Sequence, residues 1–147
     1  MKIADLRSEA AKGNVVAQSI LGICYMDGID VEVDYQEAFR LLSAAADQGA
    51  RRAVANLARI YDEGLGTQKN IPEAIRLYER AAKGGEFFAQ IALGRIYSRG
   101  TDVPANPDEA LIWYSAALAQ EGSIDDCQEM SEARNYVMTV RSVRSRT

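Results

Sequence analysis

Histidine is absent from all 147 residues. That removes the side chain most used for general acid/base work and the commonest ligand of zinc, copper and non-haem iron, and with it a large share of enzyme mechanisms and metal sites. Cysteine is scarce as well. Cys24 and Cys127 lie far apart and neither has a second cysteine nearby, so they make neither a disulfide framework nor a metal knuckle and read as reduced core residues. No stretch approaches the roughly 18 apolar residues of a membrane span, and the start, Met1 to Arg7, is charged every few residues where a secretory leader would be apolar. A net charge of −4 argues against a surface built for nucleic acid or anionic lipid. What is present is apolar: 48% of the residues, enough for the core of one domain. The expectation is a single, soluble, monomeric domain without cofactor or metal. It would be cytoplasmic, or periplasmic if a leader has been removed.

The chain repeats itself. An offset of 36 residues superposes three blocks without a gap. Tyr25, Tyr61 and Tyr97 share a column, as do Gly28, Gly64 and Gly100; Ala17, Ala53 and Ala89; Leu21, Leu57 and Leu93; Ala38, Ala74 and Ala110; Ala45, Ala81 and Ala117. Asp34, Asn70 and Asn106 form a seventh column that is polar throughout. The units are residues 14–50, 50–86 and 86–121, with a half-unit at 1–13 and a divergent segment at 122–147.

Within a unit the apolar positions follow a helical period. Ala17, Ile20, Leu21, Cys24 and Tyr25 mark one stripe, and Ala38, Leu41, Leu42 and Ala45 a second, so each unit is two helices. The Gly28 column stops the first helix and the Asp34 column caps the second. Pro72 and Pro107 fall in the first turn of a second helix, where a missing N–H does no harm, and Gly49 and Gly85 end that helix. Such a unit cannot bury its apolar face alone, so neighbours must stack. The predicted fold is all-α, a right-handed α-α superhelix (solenoid) of three repeats with a capping helix at each end.

The columns Ala17-x-x-x-Leu21-Gly22-x-x-Tyr25-x-x-Gly28, Ala53-x-x-x-Leu57-Ala58-x-x-Tyr61-x-x-Gly64 and Ala89-x-x-x-Leu93-Gly94-x-x-Tyr97-x-x-Gly100 resemble the Sel-one-like repeat, a relative of the tetratricopeptide repeat. Three departures are local. Ala58 replaces a glycine, the loop Gly-x-Gly survives only at Gly64-Leu65-Gly66, and Glu121-Gly122 shifts the third closing glycine by one residue. The resemblance implies a non-enzymatic adaptor or scaffold that binds proteins or peptides. It also implies that the first helix of each unit lines a concave groove, here with Val16, Ser19, Ile23 and Met26, then Arg52, Ala55, Arg59 and Asp62, then Phe88, Ile91, Arg95, Ser98 and Arg99.

In that register Arg59 and Arg95 stand one repeat apart. Two readings are open. Their guanidinium forks suit a partner's acidic residue or free C-terminus, with Ile23, Met26, Phe88 and Ile91 as apolar anchors. Alternatively they pair with Asp62, Glu63 or other local acids on a solvated face. The acidic loop Asp27 to Asp34 lacks the ligand order of a calcium loop and reads as a connector whose acids cap the next helix. Tyr25, Tyr61, Tyr97, Tyr78, Tyr114 and Trp113 recur at packing positions, so a base-stacking role is not expected. Cys24 shares a column with Ile60 and Ile96 and reads as buried rather than nucleophilic.

Beyond the repeats, Ile124, Cys127, Met130, Ala133, Val137 and Val140 form a helical stripe, with Ser123 and Asp126 as its start signal. From residue 131 onward Arg134, Arg141, Arg144 and Arg146 stand against only Glu132, giving either a frayed, solvated end or an anion-binding tail. The function expected is a protein-interaction module holding an extended peptide or partner loop. The alternative is a small inhibitor or immunity-type protein that occludes a partner's active site.

Overall fold

The computed structural model describes residues 2–120 and 127–147. They form eight α-helices: α1 (Ile3–Ala11), α2 (Val15–Asp27), α3 (Tyr35–Asp47), α4 (Arg51–Glu63), α5 (Ile71–Lys83), α6 (Phe87–Arg99), α7 (Pro107–Leu118) and α8 (Gln128–Ser145). No strand occurs among the described residues. The expected start signal at Ser123 and Asp126, the apolar Ile124, and the shifted Glu121-Gly122 lie outside the described residues.

The stops and starts are those the repeat columns dictate. Gly28, Gly64 and Gly100 close α2, α4 and α6 with φ of 71°, 68° and 65°, a left-handed conformation that costs a residue without Cβ nothing. Each second helix begins under a side-chain cap: Asp34 accepts from the N–H of Glu37 at 3.0 Å, Asn70 from Glu73 at 3.1 Å and Asn106 from Glu109 at 3.2 Å. Pro72 and Pro107 sit in the first turns of α5 and α7. The intervening loops are closed identically, since the N–H groups of Asp34, Asn70 and Asn106 donate to the carbonyls of Tyr25, Tyr61 and Tyr97 at 2.9, 2.8 and 2.9 Å.

The chain divides into two compact units, Met1–Gly84 and Gly85–Thr147. In the first, α1 buries Leu6 and Ala10 against Ala17, Leu21 and Leu41, with Ile3 and Tyr25 at the margin. It thereby caps the array, and Arg7 Nε donates to the Tyr25 hydroxyl at 3.2 Å. The alanine columns are where backbones meet, and Ala38, Ala45, Ala53, Ala58 and Ala74 are wholly buried. Ile20, expected on this stripe, is instead 42% exposed: the stripe needs only Ala17, Leu21 and Cys24, and Ile20 lies at its edge. Burial and the charges of Asp30 and Asp27 push the Cys24 thiol up, as suits a core sulfur.

In the second unit the core joins Phe87 and Ile91 of α6, Ala110, Tyr114 and Ala117 of α7, and Met130, Ala133 and Val137 of α8. The capping helix is therefore bound by an apolar stripe at three- and four-residue spacing. It stays helical through Ser145, and at its exposed basic end Arg144 pairs with Asp108.

Candidate protein-interaction surface

A helix shows solvent the residues its neighbours leave uncovered, and these recur at three and four positions. On α2 that stripe is Val16, Ile20, Ile23 and Asp27. Val16 is 66% exposed and Ile23 half-buried. The matching positions of α4 are Arg52, Asn56, Arg59 and Glu63, and those of α6 are Phe88, Ala92, Arg95 and Arg99. Of the residues expected in a groove, Val16, Arg52, Phe88 and Arg99 are exposed, whereas Ile23, Arg59 and Arg95 are half-buried.

Four expected groove residues are corrected by the structure. Ser19 is buried, and its hydroxyl donates to the Val15 carbonyl at 2.9 Å, one turn back in its own helix. Met26 is 3% exposed. Ile91 belongs to the core of the second unit, and Ala55, in the same column, is buried too. The column Ser19, Ala55, Ile91 contains no charge because it faces neighbouring helices. Asp62 is half-buried and accepts from the Tyr78 hydroxyl at 3.3 Å; burial, together with Asp62, raises the Tyr78 pKa. Ser98 donates to the Arg95 carbonyl at 3.2 Å.

The two column-mates differ in their carboxylates. Arg59 donates from Nε to Glu63 at 2.9 Å and pairs with Asp27 of α2 at 3.0 Å. Burial alone would lower its pKa, but the bond to Glu63 and the charges of Glu63 and Asp27 overcome this and raise it. Arg95 holds Glu132 of α8 with a fork: Nε lies 3.0 Å from both carboxylate oxygens and Nη2 2.6 Å from Oε2. Tyr114 donates its hydroxyl to the same carboxylate at 2.9 Å. The hydrogen bond from Arg95 outweighs burial and, with Tyr114, holds the Glu132 carboxyl below its ordinary range. Burial, chiefly, pushes Tyr114 up to about 12.

Arg59 and Arg95 are thus both engaged within the protein. The guanidinium of Arg52 meets no carboxylate among the described residues; only its backbone is used, accepting from Asn56 at 2.8 Å. Ile20, Asn56 and Asp27 were not expected on this face. One signal was available: position 56, in the column Ile20, Asn56, Ala92, holds an amide side chain that a packing column would have to satisfy.

Paired helices that repeat at a fixed interval, each with its own cap and stop, define an α-α solenoid of the kind that serves as an interaction scaffold. The Sel1 repeat profile matches residues 15–49, 51–86 and 88–121, and the chain belongs to the Sel1 repeat family. Repeats of this family are in general protein–protein interaction modules. Among solved structures, a Sel1 repeat protein from Oxalobacter formigenes is 36% identical, with a TM-score of 0.69 over 90% of this chain and 96% of that one. The antigen c5321 of uropathogenic Escherichia coli, described as having an SLR fold, is 26% identical with a TM-score of 0.74; the match covers 91% of this chain and 32% of that one. Cysteine-rich protein B of Helicobacter pylori shares the fold at 20% identity and a TM-score of 0.64, over 82% of this chain and 92% of that one. No curated protein matches the chain. No helix among the described residues is long and apolar enough to cross a membrane, and no group of three or more acidic or cysteine side chains there is placed to hold a metal ion.

Proposed function

We propose that the chain is a non-enzymatic adaptor that takes an extended peptide or partner loop on the exposed stripe of its first helices. The observation that carries this is in the first unit, where α2 presents Val16 and Ile20 to solvent and α4 leaves the Arg52 guanidinium uncommitted in the same repeat column as Val16. Apolar contact beside a free fork suits a partner with an acidic residue or a free C-terminal carboxylate next to an apolar side chain. Because Arg59 and Arg95 already hold internal carboxylates, Arg52 takes the role of carboxylate reader in the first unit.

The test is affinity capture with mass spectrometry, using the parent, Val16→Asp/Arg52→Glu, and Glu79→Lys on the second helix α5. A partner recovered by the parent and by Glu79→Lys should be lost from the double variant by well over tenfold, about what truncating a central contact costs. Melting temperature should stay nearly unchanged, because both substituted positions are exposed. A partner that binds the double variant as tightly as the parent would exclude this face.

A further inference from the structure

In the first unit the start of α3 and the loop after α4 enclose a cavity of about 270 Å³. Its walls are aromatic: Tyr35 and Phe39 from α3, and Tyr61 from the end of α4. Phe39 and Tyr61 stand edge to face, with centroids 6.1 Å apart and planes at 86°, and Phe39 remains 38% exposed. Gly66, at φ 67°, brings the loop so close that a Cβ there would lie 2.5 Å from the Tyr35 Cβ.

The repeat does not require tyrosine at 35, phenylalanine at 39 or glycine at 66. At the positions of Tyr35 and Phe39 the second repeat has Ile71 and Ile75 and the third has Pro107 and Leu111, and where Gly66 stands the other two repeats have Asp30 and Asp102. Those repeats nonetheless form their helices with the same caps and loop closures. The half-buried Tyr35, the exposed Phe39 and the absence of a side chain at position 66 are therefore not what makes the helices, caps and loop closures form.

The lining sets the chemistry of what would fill it. No charged side chain borders the cavity, so neither a carboxylate nor an ammonium finds a counter-charge there. The polar groups at its rim are the hydroxyls of Tyr35, Tyr61 and Thr67 and the amide of Gln36. All can donate, and none makes a hydrogen bond to another described residue. The volume falls just below the 300–1,000 Å³ or so of small-molecule sites, which suits one or two side chains. A ligand that offers carbonyls, needs few acceptors and presents flat apolar rings meets all of these conditions. A proline-rich segment does so, because proline has no N–H and the polyproline II helix leaves its carbonyls unbonded and is already ordered before binding.

We propose that this cavity binds a proline-rich peptide in the polyproline II conformation, a proline ring packing against the aromatic wall that Tyr35, Phe39 and Tyr61 form while the rim hydroxyls and Gln36 donate to the peptide carbonyls. The site lies apart from the exposed stripe of α2 and α4 and extends the module to a second class of peptide.

The experiment titrates the full chain into a fluorescently labelled, end-capped decaproline, with an end-capped glycine–serine decamer as control. Decaproline should bind saturably and the control should not. Tyr35→Ile/Phe39→Ile, which installs the residues that the second repeat uses at the same places, should weaken binding by at least about tenfold while the melting transition persists. No saturable binding, equal binding of the two peptides, or undiminished binding by the double variant would overturn the proposal. Should that variant fail to melt cooperatively, Gln36→Ala/Tyr61→Phe, which keeps every ring, decides instead: a severalfold loss supports the site and unchanged affinity overturns it.

Discussion

Arg59 in the first unit and Arg95 in the second occupy one column of the repeat, near the end of a first helix, and their side chains are 37% and 33% exposed. Their environments nevertheless differ in kind. Arg59 makes single contacts to two acids, Glu63 a turn away in its own helix and Asp27 on α2, whose side chains are 48% and 31% exposed. Arg95 grips one carboxylate with its whole fork, and that carboxylate also takes the hydroxyl of Tyr114, whose side chain is buried. A repeat column fixes where a side chain starts. What it meets depends on the neighbouring helix, and α8, which is outside the repeats, brings Glu132 where α2 brings Asp27.

The contrast can be broken first at the apolar contact that seats α8. Met130 is 1% exposed, and Met130→Ala should cost about 2–5 kcal/mol in urea or thermal denaturation. A loss smaller than that of Glu132→Gln would mean that charge, rather than the core, holds the capping helix.

Glu132→Gln should have the next largest effect, about 1–2 kcal/mol at neutral pH, because it leaves a half-buried guanidinium and a buried phenol with a poorer acceptor. Its pH dependence has a definite sign. The Glu132 carboxyl titrates below its ordinary value in the folded chain, so the folded state binds fewer protons. The stabilisation is complete above about pH 5 and is lost as pH falls through the ordinary carboxylate value toward the depressed one. The variant should flatten that part of the stability curve. A residual slope should remain from Glu37 and Glu73, held low chiefly by hydrogen bonds from Arg40 and Arg76. A parent and variant with parallel curves between pH 3 and 6 would remove Glu132 from the acid response.

The smallest effect belongs to the first unit. Glu63→Gln should change stability by no more than about 0.5 kcal/mol, since Arg59 keeps Asp27 and the pair is solvated. A loss equal to that of Glu132→Gln would show that the two arginines are equivalent after all.

The starts of the second helices and the stops of the first are legible in the sequence because capping is local chemistry. The Asp34, Asn70 and Asn106 caps and the Gly28, Gly64 and Gly100 stops act within a few residues of themselves. The facing of a helix is not local. The expected groove residues Val16, Ser19, Ile23 and Met26 and the exposed stripe Val16, Ile20, Ile23 and Asp27 differ by one position at two points, which on a helix turns a side chain by about 100°. That was enough to put Ser19 and Met26, and Ile91 with them, on the wrong side. The partners of the arginines were legible in part. Glu63, four residues from Arg59, is the neighbour sequence reasoning can name. Glu132 is 37 residues from Arg95 and meets it only because α8 packs beside α6.

The carbonyls of Tyr25, Tyr61 and Tyr97, each tied to the N–H of the next capping residue, make every two-helix unit self-sufficient in its turns. A chain built this way can lengthen by whole-unit duplication without inventing a junction, because each copy brings its own punctuation. Point changes inside a unit then diversify what is already in register, as when Tyr35 and Phe39 stand where a sister unit has isoleucines. Growth in steps of one unit also makes sense of the same architecture serving proteins as different in length as this chain and c5321, of which it matches 32%.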